Sequence, residues 1–267
     1  MRGLVLVSVL SFTAVVAASC GGGGGTASPT PTNSPTPTPG VTPTLPPTPP
    51  PTPTPSGTPP AAGTYYPLKI NDSWTYATTD VVAGNSSKTV HVDSFGDIGG
   101  AKAGTNGFQV RSTDATGKYK FDWAEDRGIL VIRHREQTFS AASVLKSESI
   151  YNPSKLLVDM QASRMVQGAV YYEQYDDTTT DSTVSPAVTT TLTHFVTWTV
   201  DAVAESKTTA AGTFMCLKLH RHGQTSSNLS SDKEYWFAPN VGKIEEDTID
   251  NTGAVTATET LTAYTIL

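Results

Sequence analysis

Two histidines, His220 and His222, stand two residues apart in a stretch that alternates like a β-strand, so their side chains point to the same face. Cys216 falls on that face by the same alternation. Imidazole and thiolate groups on one face hold a transition metal when a further ligand joins them. A solvated basic strand end beside Arg221 explains the same residues, and we favour it over a metal site.

Three aspartates, Asp176, Asp177 and Asp181, flank a run of threonines. Carboxylate oxygens are the ligands that calcium takes in proteins, so this cluster is a candidate cation site. A polar loop explains the same residues without an ion, and we favour that interpretation. Neighbouring Glu245 and Glu246 could form an acid–base pair, but successive residues of a strand point to opposite faces.

A cluster of tyrosines, Tyr171, Tyr172 and Tyr175, could stack on sugar rings, although core packing explains two of them equally well. The sequence holds no nucleophile elbow, zinc-ligand spacing, phosphate loop or calcium loop. We therefore predict a protein that is not an enzyme, with no catalytic residues, metal or cofactor. Cys216 is expected to be a buried, inert thiol because its strand is apolar.

The stretches that would position these residues alternate with a period of two, which is typical of β-strands. In 118–123 three aromatic residues share one face and three charged residues share the other, and 194–200 and 213–222 behave similarly. The clearest hairpin joins 119–125 to 128–135. Short helical turns are expected only at 140–149 and 152–161. A further hairpin turn is indicated by Asp247, Asp250, Asn251 and Gly253.

These patterns predict an all-β domain with minor α content. Ten to twelve antiparallel strands would form a curved sheet, a half-barrel or a sandwich. We assign residues 64–267 to this single β-rich globular domain, because no second linker-like stretch interrupts it. A disordered linker at 20–63, Gly-rich and then Thr/Pro-rich, would precede the domain, and a signal peptide would occupy 1–19.

The first nineteen residues are typical of a secretory signal. Met1 and Arg2 supply a positive start, and an uncharged run rich in Leu, Val and Ala follows. That run is about 17 residues long, which is short for a membrane-spanning helix. The segment therefore predicts export.

The step Ala17-Ala18-Ser19-Cys20 resembles the lipobox of bacterial lipoproteins, although Ala17 stands where leucine is usual. In that family the cysteine thiol receives a diacylglycerol, and cleavage makes the cysteine the new N-terminus. The resemblance implies that Cys20 is lipidated and that acyl chains such as palmitate hold the domain at a bacterial membrane, outside the cytoplasm. An ordinary cleaved signal with an incidental cysteine is the alternative.

The segment 26–63 holds fifteen of the nineteen prolines, interleaved with threonine. Proline fixes φ and removes the amide donor, so an extended polyproline-type spacer is expected. At about 3.1 Å per residue, 21–63 would reach on the order of 100 Å. A ligand for Pro-binding modules and a glycosylated stalk are competing interpretations.

Charge and cysteine content exclude two further classes. The net charge is −6 and no basic footprint is visible, so we expect no nucleic-acid partner. The chain has two cysteines, Cys20 and Cys216, and a lipidated Cys20 leaves no pair for a disulfide.

Four stretches resemble a loosely defined group of uncharacterised bacterial envelope proteins, which are often lipoproteins. They are YYPLKINDSWTY at 65–76, AAGTFMCLKL at 210–219, YWFAPNVGKI at 235–244 and, more weakly, 152–168. Ala210 and Asn240 depart from the usual proline and glycine. The resemblance implies an antiparallel β-rich fold similar to the half-barrel of periplasmic lipoprotein carriers, and it implies no known activity.

Three functional hypotheses follow. The first is a lipid-anchored, non-enzymatic envelope protein with a binding or structural role, whose concave apolar face would hold a hydrophobic ligand. The second is a carbohydrate-binding surface module, which requires an exposed row of aromatic residues. The third is a hydrolase, which requires a cleft where carboxylates or histidines converge. The exposure of the three tyrosines and of the four tryptophans separates the first two hypotheses. The tryptophans are Trp74, Trp123, Trp198 and Trp236.

Overall fold

The structure is a computed structural model that describes residues 63–267. The signal peptide at 1–19, the lipidation site Cys20 and all but the last residue of the linker at 20–63 lie outside the described residues. Those predictions therefore stay predictions. Among the described residues no helix has the length and apolar character needed to cross a membrane.

Twelve antiparallel strands form one sheet, in which each strand pairs with its neighbours along the chain. The first strand also pairs with the last, so the sheet closes into a barrel. The strands are β1 (Ser73–Asp80), β2 (Gly84–Asp97), β3 (Asn106–Asp114), β4 (Tyr119–Asp126), β5 (Leu130–Phe139), β6 (Leu145–Asp159), β7 (Val170–Asp181), β8 (Val188–Thr209), β9 (Gly212–Thr225), β10 (Ser230–Ala238), β11 (Gly242–Ile249) and β12 (Val255–Thr265).

The predicted all-β antiparallel class and the strand number are confirmed. The sheet is closed, however, whereas we expected an open half-barrel, a curved sheet or a sandwich. Pairing of β1 with β12 explains the difference, because it gives both edge strands a hydrogen-bonded partner and leaves no open edge.

Two predicted turns are present. The β4–β5 hairpin turns at Gly128, whose φ of 80° is adopted most readily by glycine because it has no Cβ. Between β11 and β12 the Asp250 carboxylate accepts hydrogen bonds from the amides of Thr252 and Ala254, at 2.8 and 3.0 Å.

The helical turns predicted at 140–149 and 152–161 are wrong. Residues 145–159 belong to β6, which pairs with β5 on one side and β7 on the other. The register between β5 and β6 shifts around His134, where 151–154 of β6 bulge out of the ladder. Pairing with both neighbours thus overrides the local pattern. Short 3-10 helices occur instead at Gly100–Lys102 and Ala162–Arg164.

One end of the barrel, where β1 begins, is filled by apolar side chains. The segment before β1 covers this end, with Tyr65 and Leu68 buried in the core. Two of the stretches that resemble envelope proteins meet here: the Trp74 indole donates to the Val241 carbonyl at 2.6 Å, and the Asn240 amide donates to the Thr64 carbonyl. The core also holds Val92, Val110, Val131, Val158, Val200, Leu219, Ile244 and Leu261.

Candidate functional site

The barrel interior contains a cavity of about 350 Å³ beyond the apolar end. Seven basic and four acidic residues line it together with aromatic rings. The charged members are Lys88, Lys120, Arg133, Lys155, Arg221, Lys233 and Lys243, with Asp122, Glu136, Glu246 and Glu259. This lining contradicts the apolar concave face that we expected. Side chains alternate between the two faces of each strand, and charged side chains occur on the inner face of the barrel as well as on the outer face.

One group of these charges forms a compact network between β4 and β5. The Arg133 guanidinium lies 3.0 Å from Asp122 and 2.9 Å from Glu136, and Lys120 lies 3.2 Å from Glu136. Burial alone would raise the pKa of Glu136, but Lys120 and Arg133 lower that pKa to about 2. The Glu136 carboxylate is therefore ionised at neutral pH.

A second network joins β2, β10, β11 and β12. Lys243 contacts Glu246 and lies 2.7 Å from Glu259. Lys88 pairs with the same Glu259, and Lys233 pairs with Glu246. Between them the two networks engage five of the basic residues and all four carboxylates of the lining.

Lys155 and Arg221 are the basic residues that remain. Within residues 63–267 neither has a carboxylate at ion-pair distance. The Arg221 side chain is 6% exposed, and its Nε has no hydrogen-bond partner in the described part of the chain. The segment 1–62 contains no aspartate or glutamate, so it cannot supply the missing carboxylate.

Aromatic rings surround these two cations. The Lys155 ammonium lies 5.4 Å from the ring centre of Tyr151 and 5.9 Å from that of Tyr175. Arg221 donates to the Tyr175 hydroxyl at 3.3 Å and lies over the Trp198 ring at 5.8 Å. Burial, together with repulsion from Arg133 and Arg221, lowers the pKa of Lys155 to about 7.

A nearby carboxylate, Glu173 of β7, is already engaged. It accepts hydrogen bonds from the Leu156 amide and from the Trp198 indole, the latter at 3.2 Å. Burial raises the pKa of Glu173 despite these donors and the positive charges of Arg221 and Lys155. Glu173 thus orients Trp198 without forming an ion pair with either cation.

The candidate metal ligands are not brought together. His220 and His222 share a face as predicted, and both contact Asp232, at 3.2 and 2.7 Å. Cys216 lies apart in the core, where burial raises the pKa of its thiol to about 12. No set of three or more metal-binding side chains occurs in the part of the chain that the structure describes.

The acidic candidates are also separate. Asp176 accepts from the Thr193 hydroxyl at 2.7 Å, Asp177 from Thr179, and Asp181 from Thr183. Glu245 and Glu246 point to opposite sides, as the alternation predicts. Glu246 faces the cavity, whereas Glu245 pairs with Lys207 and accepts from Thr260 at 3.0 Å.

The aromatic candidates are mostly interior. Tyr171 and Tyr175 are buried, and Tyr172 is 77% exposed. Three of the tryptophans, Trp74, Trp198 and Trp236, are buried and Trp123 is half-buried. These seven residues therefore form no exposed aromatic row.

Sequence reasoning missed one arrangement at the β5–β6 bulge. The Ser154 hydroxyl lies 2.6 Å from His134 Nδ1, and His134 Nε2 lies 2.8 Å from Glu125, which is held by Arg127. Burial lowers the pKa of His134, which favours the neutral imidazole. The three residues come from three strands and have no diagnostic spacing, so no sequence motif could have revealed them.

Comparisons with known proteins add little to what the geometry shows about function. No family model matches the chain, and no curated protein does. Two crystal structures resemble the barrel at 14% identity over 76% of this chain. An inferred exported protein with a YmcC-like fold from Bacteroides fragilis is covered completely, with a TM-score of 0.47. An inferred lipoprotein from Parabacteroides distasonis is 99% covered, with a TM-score of 0.46. Likeness this low supports no inference about ligand, partner or location.

Proposed function

We propose that this chain is a lipid-anchored envelope protein that binds a small polar ligand inside its barrel and catalyses no reaction. The observation that carries the proposal is the cavity of about 350 Å³ with its charged and aromatic lining. Small-molecule sites in proteins occupy roughly 300–1,000 Å³ and place a few polar groups among aromatic ones. The cavity has this size, and its lining combines aromatic rings with more charged groups than such sites usually have.

The lining favours a polar ligand over a lipid. An acyl chain would displace water from the charged side chains without offering them hydrogen bonds, which costs several kcal/mol for each such group. We therefore replace the expected hydrophobic ligand by a polar one. The seven candidate aromatic residues are mainly interior, so they do not support a sugar-binding outer surface.

The proposed location rests on sequence. The signal-like start, the lipobox-like step before Cys20 and the Thr/Pro-rich spacer together favour a domain that is exported and held away from a bacterial membrane. A water-soluble nutrient or cell-wall fragment outside the cytoplasm would reach such a domain freely.

The proposal is tested by filling the cavity. Ser112 lines it, so Ser112→Phe reduces its volume, whereas Ser230→Phe at an exposed position leaves it unchanged. The full-length proteins are dialysed against a polar extract of the host and examined by native mass spectrometry. We expect a bound species on the wild type and on Ser230→Phe, and none on Ser112→Phe. Equal binding by all three, or no binding, would overturn the proposal.

A second candidate function is ester hydrolysis at Ser154, which the contacts with His134 and Glu125 favour. Ser154 Oγ would attack the ester carbonyl while its proton passes to His134 Nδ1, and the departing alkoxide would take that proton. Water would then release the acid by the reverse transfers. Ser154 does not line the cavity, so this site is separate from the binding site.

A fluorophosphonate probe distinguishes the second candidate. If Ser154 is nucleophilic, the probe labels the wild type and the Ser149→Ala control, and it fails to label Ser154→Ala. Because Ser149 lies on the same strand and also makes a side-chain hydrogen bond, it controls for loss of a serine there. An unlabelled wild type would eliminate hydrolysis at this position.

A further inference from the structure

We infer that Lys155 and Arg221 form an anion subsite, which binds a carboxylate or phosphate group of the cavity ligand. The inference rests on the proposed function, because it names the ligand class of the same cavity. It begins from a charge imbalance. The chain as a whole carries −6, yet the cavity lining has more basic than acidic residues.

The imbalance is concentrated at these two residues. The other basic residues of the lining share Asp122, Glu136, Glu246 and Glu259, whereas Lys155 and Arg221 have no carboxylate partner within residues 63–267. A buried cation without a counter-ion costs several kcal/mol. A ligand anion would remove this cost, which is the usual reason for retaining such a residue at a binding site.

The geometry suits an oxyanion. The Arg221 guanidinium is fixed at one end by the Tyr175 hydroxyl and by the face of Trp198, and its Nε–H has no acceptor among residues 63–267. A guanidinium that is held in place and has an N–H group free can donate two parallel hydrogen bonds to a carboxylate or phosphate. Arg221 also donates to the Ser231 hydroxyl at 3.4 Å. This hydrogen bond is long and therefore weak, so a hydrogen bond to a ligand can replace it.

Lys155 supplies the second charge from β6. Its ammonium lies over the ring of Tyr175, whose hydroxyl accepts a hydrogen bond from Arg221, so both cations can approach one ligand group. The ionisable groups that act on or around Lys155 are Arg133 and Glu136 of β5, Lys120 of β4, Tyr151 of β6, Glu173 and Tyr175 of β7, His194 of β8 and Arg221 of β9.

Three sugars that differ in one group provide the test: glucuronate, glucose 6-phosphate and neutral glucose. Binding to the full-length protein is followed by the fluorescence of Trp198, with Trp198→Phe identifying its signal. We expect at least one acidic sugar to bind about tenfold or more tightly than glucose, and the tighter of the two identifies carboxylate or phosphate as the preferred group.

Variants locate the subsite. Lys155→Met and Arg221→Met should each weaken binding of the acidic sugar by about tenfold or more, and glucose should be unaffected. Lys218→Met is the matched control, because it removes a lysine on the same strand as Arg221 that pairs with Glu234 and does not line the cavity. It should weaken binding by less than about threefold. Thermal unfolding of each variant shows whether it is folded.

The pH dependence of glucuronate binding distinguishes a lysine that contacts the ligand from one with a purely structural role. Glucuronate stays ionised above pH 6, so its affinity should fall above pH 7 as Lys155 loses its proton, by up to about tenfold per pH unit. Lys155→Met should abolish that dependence.

Equal affinity for glucose and both acidic sugars, or acid binding that survives both substitutions, would overturn the anion subsite and leave the binding cavity in place. No binding by any sugar overturns the subsite too. The bound species sought with the Ser112→Phe variant then decides separately whether the cavity binds anything else.

Discussion

Below about pH 7 Lys155 carries a positive charge beside Arg133 and Arg221 inside the barrel, and the free-energy cost of burying this charge should lower the stability of the empty protein. The pKa of Lys155 is lowered from 10.5 to about 7 by burial and by Arg133 and Arg221. The unfolded chain therefore binds a proton at pH 7–10 that the folded chain has released. The free energy of unfolding must rise with pH across this range.

We predict that Lys155→Met stabilises the empty protein at pH 6 by about 1–2 kcal/mol, or roughly 2–8 °C in Tm for a domain of this size. The gain should shrink towards pH 9, because the wild type then loses the charge. Part of the rise with pH should remain, since the pKa of Lys88 is also lowered, to about 8. Thermal melts between pH 6 and 9 measure both profiles, and parallel profiles would refute the burial argument.

The sequence could not indicate these residues as a site. Lys120 and Asp122 alternate with aromatic neighbours, and a charged strand face ordinarily points to solvent. In the closed barrel this face points inward, because the aromatic face of 119–123 lies outside. The pairing and curvature of strands β6–β9 bring Lys155 and Arg221, 66 positions apart, to the same tyrosine.

Among the elements, the segment that leads into β1 determines how the barrel end is held. Asp72 is fully buried, and its carboxylate accepts the amides of Lys69 and Leu267, both at 3.0 Å. It thus joins the start of β1 to the end of the chain after β12. Trp74 and Tyr76 share one face of β1, and both are buried in the core.

We predict that Asp72→Ala lowers the free energy of unfolding by about 2–4 kcal/mol, because two amides lose their acceptor. Asp72→Asn keeps one carbonyl oxygen and should cost about half as much. Denaturant titration of the wild type and both variants measures the differences. Identical midpoints for wild type and Asp72→Ala would show that this link does not stabilise the barrel.

Hairpins marked by glycine and aspartate were predictable because their turn chemistry is local, as at Gly128 and Asp250. Strand β6 was not, because its conformation depends on pairing with β5 and β7 and on the bulge at 151–154. The same bulge brings Ser154 to His134, so the missed strand and the missed side-chain arrangement have one cause.

At the scale of the whole molecule, the lipid anchor at Cys20 can be tested independently of the barrel. We predict that Cys20→Ser moves the protein from the membrane fraction to the soluble fraction and abolishes incorporation of labelled palmitate. Cys216→Ser should change neither, because that thiol is buried in the barrel wall. A Cys20→Ser protein that stays in the membrane fraction would show that the lipobox interpretation is wrong.

Strand number and antiparallel class followed from alternation along the chain. Closure, and with it the polar interior, depends on β1 meeting β12 across almost the whole domain, which no local pattern encodes. The difference matters for function, because an open apolar face would favour a lipid and a closed charged cavity favours a water-soluble ligand.

Native mass spectrometry of the full-length protein purified from its own host, with aqueous and organic extraction of the same sample, tests the central claim most directly. The account predicts a bound species of roughly a few hundred daltons that carries negative charge and is recovered in the aqueous phase. A protein without any bound species, or one whose ligand is a lipid recovered in the organic phase, would contradict it.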